Sequence, residues 1–315
     1  MNPRANPGPT GDNPQHARIV RSLLRFFGLI FFLMLLQVRP AGADWNPLVE
    51  RLTADGFDRR TVEALFTRQE ARFEPDAMAG KLRSLIQSLT PVPDSLAVKL
   101  RDAVHRTYLT SWMVARARSY LRENMSLLEE IQTRYGVPKE IVVSILLIET
   151  HLGENTGNRI AFNRLASMAL YPDLEAIRPY LGGSLITPDN LEYARRRCRE
   201  KADWAYNELK ALLRLADRDS LDLMTIRGSI YGAIGLCQFM PSNIFAYGVD
   251  ADQNGRIDLF TKQDALHSIA NYLQKHGWKR DADSRNQHRI LFAYNHSNVY
   301  ANTVLAVAEK LRDRR

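Results

Sequence analysis

Cysteine is nearly absent: Cys198 and Cys237 are the only two among 315 residues. Two thiols cannot build a disulfide scaffold, so a hydrophobic core must hold the fold. The 45% hydrophobic content supplies one, in a chain long enough for one large domain or two closely associated ones. In an oxidising compartment the two cysteines are able to pair. The alternative is two buried thiols, and Cys198 favours it by falling on the apolar stripe Leu191, Ala194, Cys198, Ala202, Ala205, Leu209, Leu212 and Ala216 of a long helix. Long apolar runs are also missing. The best candidate, Phe26 to Leu36, falls short of the roughly 20 residues a transmembrane helix needs. It follows Arg18, Arg21 and Arg25 and precedes Ala41-Gly42-Ala43, the layout of a secretory signal peptide over residues 1–43, with an uncleaved anchor as the alternative. No cysteine stands near the cleavage point, which excludes a lipoprotein anchor there.

A nucleic-acid reading lacks its usual support. The net charge is +8, but five arginines against Asp12 lie in the first 43 residues, leaving about +4 for the rest. No basic run with interleaved aromatics follows. What remains is a mild attraction to an anionic wall or membrane surface, without specificity. Repeats, low-complexity segments after residue 43 and strand-rich regions are absent as well.

Helical patterning fills the space left. Between Asp44 and about Tyr135 amphipathic helix is broken at Pro75, Pro91 and Pro93. Thr187-Pro188-Asp189 reads as the start of the Cys198 helix. Another helix runs from about Asp264 to His276 and stops at Gly277, and a last one from about Asn298 towards Leu311 with Ser297 as cap. The expected fold is mainly α, a single unit with helical subregions.

The helix after Gly136-Val137-Pro138 carries Ile141, Val142, Val143, Ile145, Leu146, Leu147 and Ile148, which leave almost no polar face, so it should be buried on most sides. Glu149 ends this run, with Gly153 as the stop. A carboxylate there is desolvated and meets the negative end of the helix dipole, and both effects raise its pKa. That prepares a general acid; the alternative is a Glu that turns to solvent or pairs with an arginine. Some eighty residues later, Gly228-Ser229-Ile230-Tyr231-Gly232-Ala233-Ile234-Gly235-Leu236-Cys237-Gln238-Phe239-Met240-Pro241-Ser242 has glycines that let backbone approach closely. Without a Gly-Lys-Ser/Thr ending it is no phosphate loop. Ser229 and Gln238 suit sugar hydroxyls and N-acetyl groups, or alternatively serve as a cap and a surface amide. Tyr294-Asn295 adds an aromatic face and an amide. The loop Asp250-Ala251-Asp252-Gln253-Asn254-Gly255-Arg256 starts like an EF-hand, with oxygen ligands at positions one, three and five, glycine at six and a carbonyl at seven. Position twelve, Thr261, breaks that pattern.

Taken together, the Tyr135 to Gly153 segment, the glycine-rich run, the Asp-rich loop and Tyr294-Asn295 resemble, in this order, the lytic murein transglycosylase B family over roughly residues 100 to 315. The resemblance implies a lysozyme-like transglycosylase core over 135–315, with the EF-hand-like loop at 250–264 and an additional helical part over 44–134. It implies a periplasmic, monomeric lyase acting on peptidoglycan glycan strands. Such an enzyme cleaves the β-1,4 bond between N-acetylmuramic acid and N-acetylglucosamine and leaves 1,6-anhydro ends. The family's catalytic Glu falls on Glu149, its substrate-contacting Ser and Gln on Ser229 and Gln238, and its Tyr-Asn pair on Tyr294 and Asn295. The family closes its metal loop with an acid at position fifteen, here Asp264. The expectation is therefore a structural calcium ion on Asp250, Asp252, Asn254, the Arg256 carbonyl and Asp264, with a metal-free Asx-rich turn as the alternative. No cofactor is required for the chemistry. His151-Leu152, Cys237 and an apparent insertion at Tyr180-Leu181-Gly182-Gly183-Ser184 depart from the family pattern and bear on substrate preference.

Two-carboxylate glycosidases pair an acid with a nucleophile or base. Near Glu149 only Glu154 is available, past the helix end. The resemblance implies a route in which the substrate's own C6 hydroxyl replaces the second carboxylate. The competing readings are a hydrolytic muramidase, a non-catalytic wall-binding protein, and a calcium-responsive interaction protein. The last would need a second EF-hand-like loop, which the chain lacks.

Overall fold

The computed structural model describes residues 43–91, 93 and 101–312, so the leader expected over residues 1–43 lies outside the described residues except for Ala43. Three helices open the described chain: α1 (Asn46–Ala54), α2 (Arg59–Thr67) and α3 (Asp76–Gln87). Asp58 caps α2 by accepting the Thr61 N–H at 2.8 Å. Pro75 occupies the cap position of α3, so it starts a helix rather than kinking one. After a 3-10 turn at Arg106–Leu109 come α4 (Ser111–Glu123), α5 (Met125–Tyr135) and α6 (Lys139–Thr150). Gly136, at φ +70°, closes α5 in the left-handed conformation that glycine adopts without penalty.

In α6 every side chain from Ile141 to Leu147 is buried, Ser144 included, as the unbroken apolar run requires. The Ser144 hydroxyl is satisfied by donating to the Glu140 carbonyl. Next come α7 (Ala161–Leu170), buried along its whole length, the short α8 (Leu174–Ile177) and the 29-residue α9 (Leu191–Asp219). The start of α9 corrects the sequence reading. Thr187 and Asn190 close a turn on each other, the Thr187 N–H donating to Asn190 Oδ1 at 2.9 Å and the Asn190 N–H to the Thr187 carbonyl at 3.2 Å. The capping signals are thus used up before the helix begins. Its apolar stripe is as read, and Cys198 and Cys237 are both free and buried.

The remaining helices are α10 (Pro241–Tyr247), α11 (Lys262–Lys275), α12 (Ser284–Tyr294) and α13 (Asn298–Arg312). Ser297 Oγ accepts the Tyr300 N–H at 3.2 Å, as its capping place predicts. The only regular strands among the described residues are β1 (Arg159–Ile160) and β2 (Arg227–Gly228), antiparallel with Arg159 opposite Gly228. They pin the end of the α6–α7 connection to the glycine-rich run. α13 lies along α6, with α4 and α5 on other sides of it, and α9 lies along α7. No helix among the described residues is long and apolar enough to cross a membrane.

Candidate active site

Glu149 sits one residue before the end of α6. Beyond Thr150 the chain turns through three successive left-handed residues, His151 (φ 51°), Leu152 (φ 67°) and Gly153 (φ 99°). Only the glycine takes this conformation freely. The other two are held by backbone bonds that close the helix, from His151 N to the Leu147 carbonyl and from Leu152 N to the Leu146 carbonyl. The helix therefore stops three residues ahead of Gly153. Burial pushes the Glu149 pKa from 4.5 up to about 7, against a smaller downward pull from Tyr300. Among the described residues Glu149 forms no ion pair. Glu154 is exposed and paired with Arg116, so it stands as a tethered loop residue.

Three phenols feel the charge of the carboxyl, two of which sequence reasoning missed. Tyr300, in the first turn of α13, is buried. Its pKa is driven well up by burial and then by the charge of Glu149. Its hydroxyl completes no hydrogen bond within 3.5 Å among the described residues, so the pair interacts electrostatically at longer range than a hydrogen bond. Tyr108 donates to the Ile148 carbonyl at 3.3 Å and meets the His151 ring edge-on. Its pKa is raised by burial and then by Glu149. Tyr294 is the third, and was expected. Its hydroxyl donates to the Cys237 carbonyl at 2.7 Å, and burial, Cys237 and Glu149 drive its pKa well up. The fully buried Cys237 thiol is likewise pushed up, by burial first. The structure thus brings Glu149, Tyr294 and Cys237 together, while Asn295 lies exposed at the end of α12.

The glycine-rich run forms a tight double turn. Ser229 Oγ accepts the N–H groups of Ala233 (3.0 Å) and Tyr231 (3.3 Å). Gln238, at φ 50°, donates from Nε2 to the carbonyls of Gly235 (2.9 Å) and Thr156 (3.1 Å). The capping reading of Ser229 is therefore part of the truth, and the Gln238 amide is anchored to backbone. Close approach explains the glycines: a Cβ on Gly235, at φ +76°, would lie 2.4 Å from that of Leu259. Leu236 carries the connections. Its carbonyl accepts from Thr150 Oγ1 at 3.0 Å, and its N–H donates to the Leu259 carbonyl at 2.8 Å, linking the Glu149 helix end to the Asp-rich loop. Arg164 anchors the run from the other side. It is fully buried, its Nε donating to the Ile230 carbonyl (2.7 Å) and Nη1 to Glu74 and Asp76 (both 2.8 Å). The one charged residue in the stretch Ala161–Leu170 was the available signal.

In the Asp-rich loop, carboxylate oxygens of Asp250, Asp252 and Asp264 lie within 4.8 Å of one another. Asp250 accepts the N–H groups of Asn254 and Gly255, and the buried Asp264 those of Ala251 and Asp258. Asn254 Oδ1 accepts the Arg256 N–H at 2.9 Å. None of the three acids forms an ion pair among the described residues. Converging, uncompensated carboxylates with oxygen-only donors fit a hard cation.

Residues 41–289 match the transglycosylase SLT domain family. Among curated proteins, membrane-bound lytic murein transglycosylase B of Escherichia coli (strain K12) is 27% identical over 223 residues, covering 71% of this chain and 54% of that protein. The chain thus spans about half the length of this relative. Among solved structures, the Escherichia coli lytic transglycosylase SLT35, in complex with bulgecin A, aligns with TM-score 0.65 at 20% identity over 86% of this chain and 93% of that one. A second SLT35 structure contains calcium (TM-score 0.64). SltB3 from Pseudomonas aeruginosa, bound to NAG-anhNAM-pentapeptide, aligns with TM-score 0.61 at 20% identity over 86% and 79%. The fold is the mainly α, lysozyme-like fold of these enzymes.

Proposed function

The chain belongs to the transglycosylase SLT domain family, and from that premise we propose that it is a peptidoglycan lytic transglycosylase with Glu149 as its single general acid and base. The observation that carries this reading is the Glu149 carboxyl itself, within electrostatic reach of three phenols, without a cation partner among the described residues, and pushed by burial up to about 7. Protonated, it donates to the glycosidic oxygen between N-acetylmuramic acid and N-acetylglucosamine as the C1–O bond breaks. The substrate's N-acetyl group stabilises the cationic centre. The Glu149 carboxylate then takes the proton of the C6 hydroxyl as that oxygen bonds to C1, which restores the acid and leaves a 1,6-anhydro end without consuming water.

Ser229, Gln238, Tyr294 and Asn295 are proposed to contact the sugar. Because Ser229 Oγ already accepts two N–H groups, its hydroxyl proton is what it offers a ligand. Because the Gln238 amide nitrogen is committed to backbone, its carbonyl oxygen is the end left for one. SltB3 has been solved with NAG-NAM-pentapeptide, which supports a substrate whose muramic acid bears a peptide. The calcium-containing SLT35 structure supports a structural calcium ion on Asp250, Asp252, Asn254, the Arg256 carbonyl and Asp264. The ion would brace the Leu259–Leu236 connection rather than enter the chemistry, which needs no cofactor. A leader over 1–43, a helical part over 44–134, a catalytic core over 135–315, a monomeric state and a periplasmic site of action at the wall surface complete the proposal.

Mass spectrometry of purified sacculi digested with the protein tests it. Anhydro ends that vanish with Glu149→Gln are expected. Reducing ends would make the protein a hydrolase, and no release would make it a binding module.

A further inference from the structure

Trp112, in the first turn of α4, is 63% exposed, more than any other large apolar side chain among the described residues. Exposure alone carries little, since single apolar residues are common on protein surfaces. What sets Trp112 apart is that its surroundings hold it still. The guanidinium of Arg116, one helical turn on, lies over the indole ring at 4.7 Å from its centre. Arg116 is itself fastened by its ion pair with Glu154. With one face of the indole under the guanidinium, the other face is the open one. A braced ring loses little freedom when a ligand arrives, which favours binding.

The chain on both sides of Trp112 reaches the end of α6 that carries Glu149. Four residues earlier, Tyr108 donates to the Ile148 carbonyl and meets the His151 ring edge-on, with centres 5.8 Å apart. Four residues later, Arg116 grips Glu154, in a loop whose Asn155 N–H donates to the Thr150 carbonyl at 3.0 Å. Trp112 thus stands between two contacts to the segment 148–154. His151, one of the departures from the family pattern, belongs to the same wall. Two residues beyond Glu154, the Thr156 carbonyl accepts from Gln238 Nε2 at 3.1 Å. The loop that anchors Arg116 therefore also anchors a proposed sugar contact.

Resting on the proposed reading of the site, we propose that Trp112 is a stacking platform for one sugar ring of the glycan strand, apart from the sugars joined by the bond that Glu149 cuts. A β-1,4-linked N-acetyl sugar carries its ring substituents equatorially, which leaves flat C–H faces and sets hydroxyl and amide groups around the rim. The indole face fits the first, and the Arg116 N–H groups fit the second. Glu154 already answers the charge of Arg116, so the ligand chemistry is that of a neutral saccharide rather than of an anionic peptide or lipid.

The test is calorimetric titration of the full chain with β-1,4-linked N-acetylglucosamine oligomers of two and six sugars, which lack the muramic acid that the proposed reaction requires. Trp112→Ala should weaken binding of the six-sugar strand about tenfold, leave the two-sugar unit nearly unchanged, and not move Tm. The loss should persist at raised salt, since the ligand is uncharged, and Trp112→Phe should recover most of it. No binding of the six-sugar strand by the unaltered chain, no loss in Trp112→Ala, an equal loss for both lengths, or a loss that Trp112→Phe does not recover overturns the platform. Digestion of sacculi decides the activity separately. Anhydro ends together with unchanged strand binding by Trp112→Ala would sink the platform alone, whereas a length-dependent loss without anhydro ends would support the platform and sink the activity reading.

Discussion

Replacing Glu149 by Gln should abolish glycan release and, in the same protein, stabilise the fold at alkaline pH. The native carboxyl titrates at about 7 and the unfolded one near 4.5, so the native state holds its proton more tightly. As pH rises from 4.5 to 7 the unfolded chain ionises first, and the stability of the native state falls across that window. Above it the native state carries a penalty of about 3 kcal/mol, taking about 1.4 kcal/mol per pKa unit. Glu149 keeps part of its surface open, so solvent screening trims this to about 2–3 kcal/mol. Glutamine has nearly the same shape and never ionises, so it removes the penalty. Urea unfolding at pH 8.5 should therefore show Glu149→Gln more stable by about 2–3 kcal/mol, or about 4–6 °C in Tm for a chain of this size. At pH 4.5 the gain should shrink to a few tenths of a kcal/mol, roughly the residual of the same linkage. A variant less stable than the parent at pH 8.5, or equally stabilised at both pH values, would refute the claim that an uncompensated buried carboxylate ends α6.

Tyr300→Phe removes the group that draws the Glu149 pKa downward, so the alkaline limb of the kcat/KM profile should move to higher pH; a limb that stays or moves down contradicts the assignment. Asp264→Asn takes one charge from the three-carboxylate cluster. It should erase the rise in Tm on adding calcium and the fall on adding chelator that the parent is expected to show. Arg164→Ala leaves Glu74 without its buried partner and the Ile230 carbonyl without its donor. Urea titration should register a loss of about 3–5 kcal/mol, and no loss would mean that water replaces the guanidinium.

What the sequence made legible shares one property: it is written in neighbouring residues. The buried face of α6 follows from an unbroken apolar run, and the desolvated carboxyl follows from that face. The tight turns at Gly232 and Gly235 follow from residues that take positive φ without steric cost. Two of the three phenols at Glu149 follow from nothing local. Tyr300 arrives because α13 lies along α6, and Tyr108 because a 3-10 turn docks beside the helix end. Neither stands in a periodic pattern that marks it as different from any core tyrosine. The misplaced start of α9 failed for the opposite reason. Thr187, Pro188 and Asp189 gave strong local signals, but the Asn190 side chain caps the preceding turn, a choice between two nearby backbone donors that composition does not distinguish. The two-residue strands are too short to have a period at all.

Under the proposed mechanism the surroundings of Glu149 matter as much as the carboxyl. An enzyme with two carboxylates divides acid and base between places, each with its own pKa; one with a single carboxyl must divide them in time. It has to be protonated when the leaving oxygen needs a proton and basic enough, once ionised, to take one from a hydroxyl. A pKa near the working pH serves both needs, and three features hold it there. Burial raises it. Arg116, tied to the following loop, is engaged by Glu154, and Glu149 has no ion-pair partner among the described residues to pull the value back down. The phenols supply polarity without charge, and Tyr300 moderates the rise without cancelling it. Replacing any of these by a cation would favour the carboxylate throughout the cycle and leave the first proton transfer without a donor, which makes the absence of a counter-charge among the described residues around Glu149 a functional requirement of the single-carboxylate route.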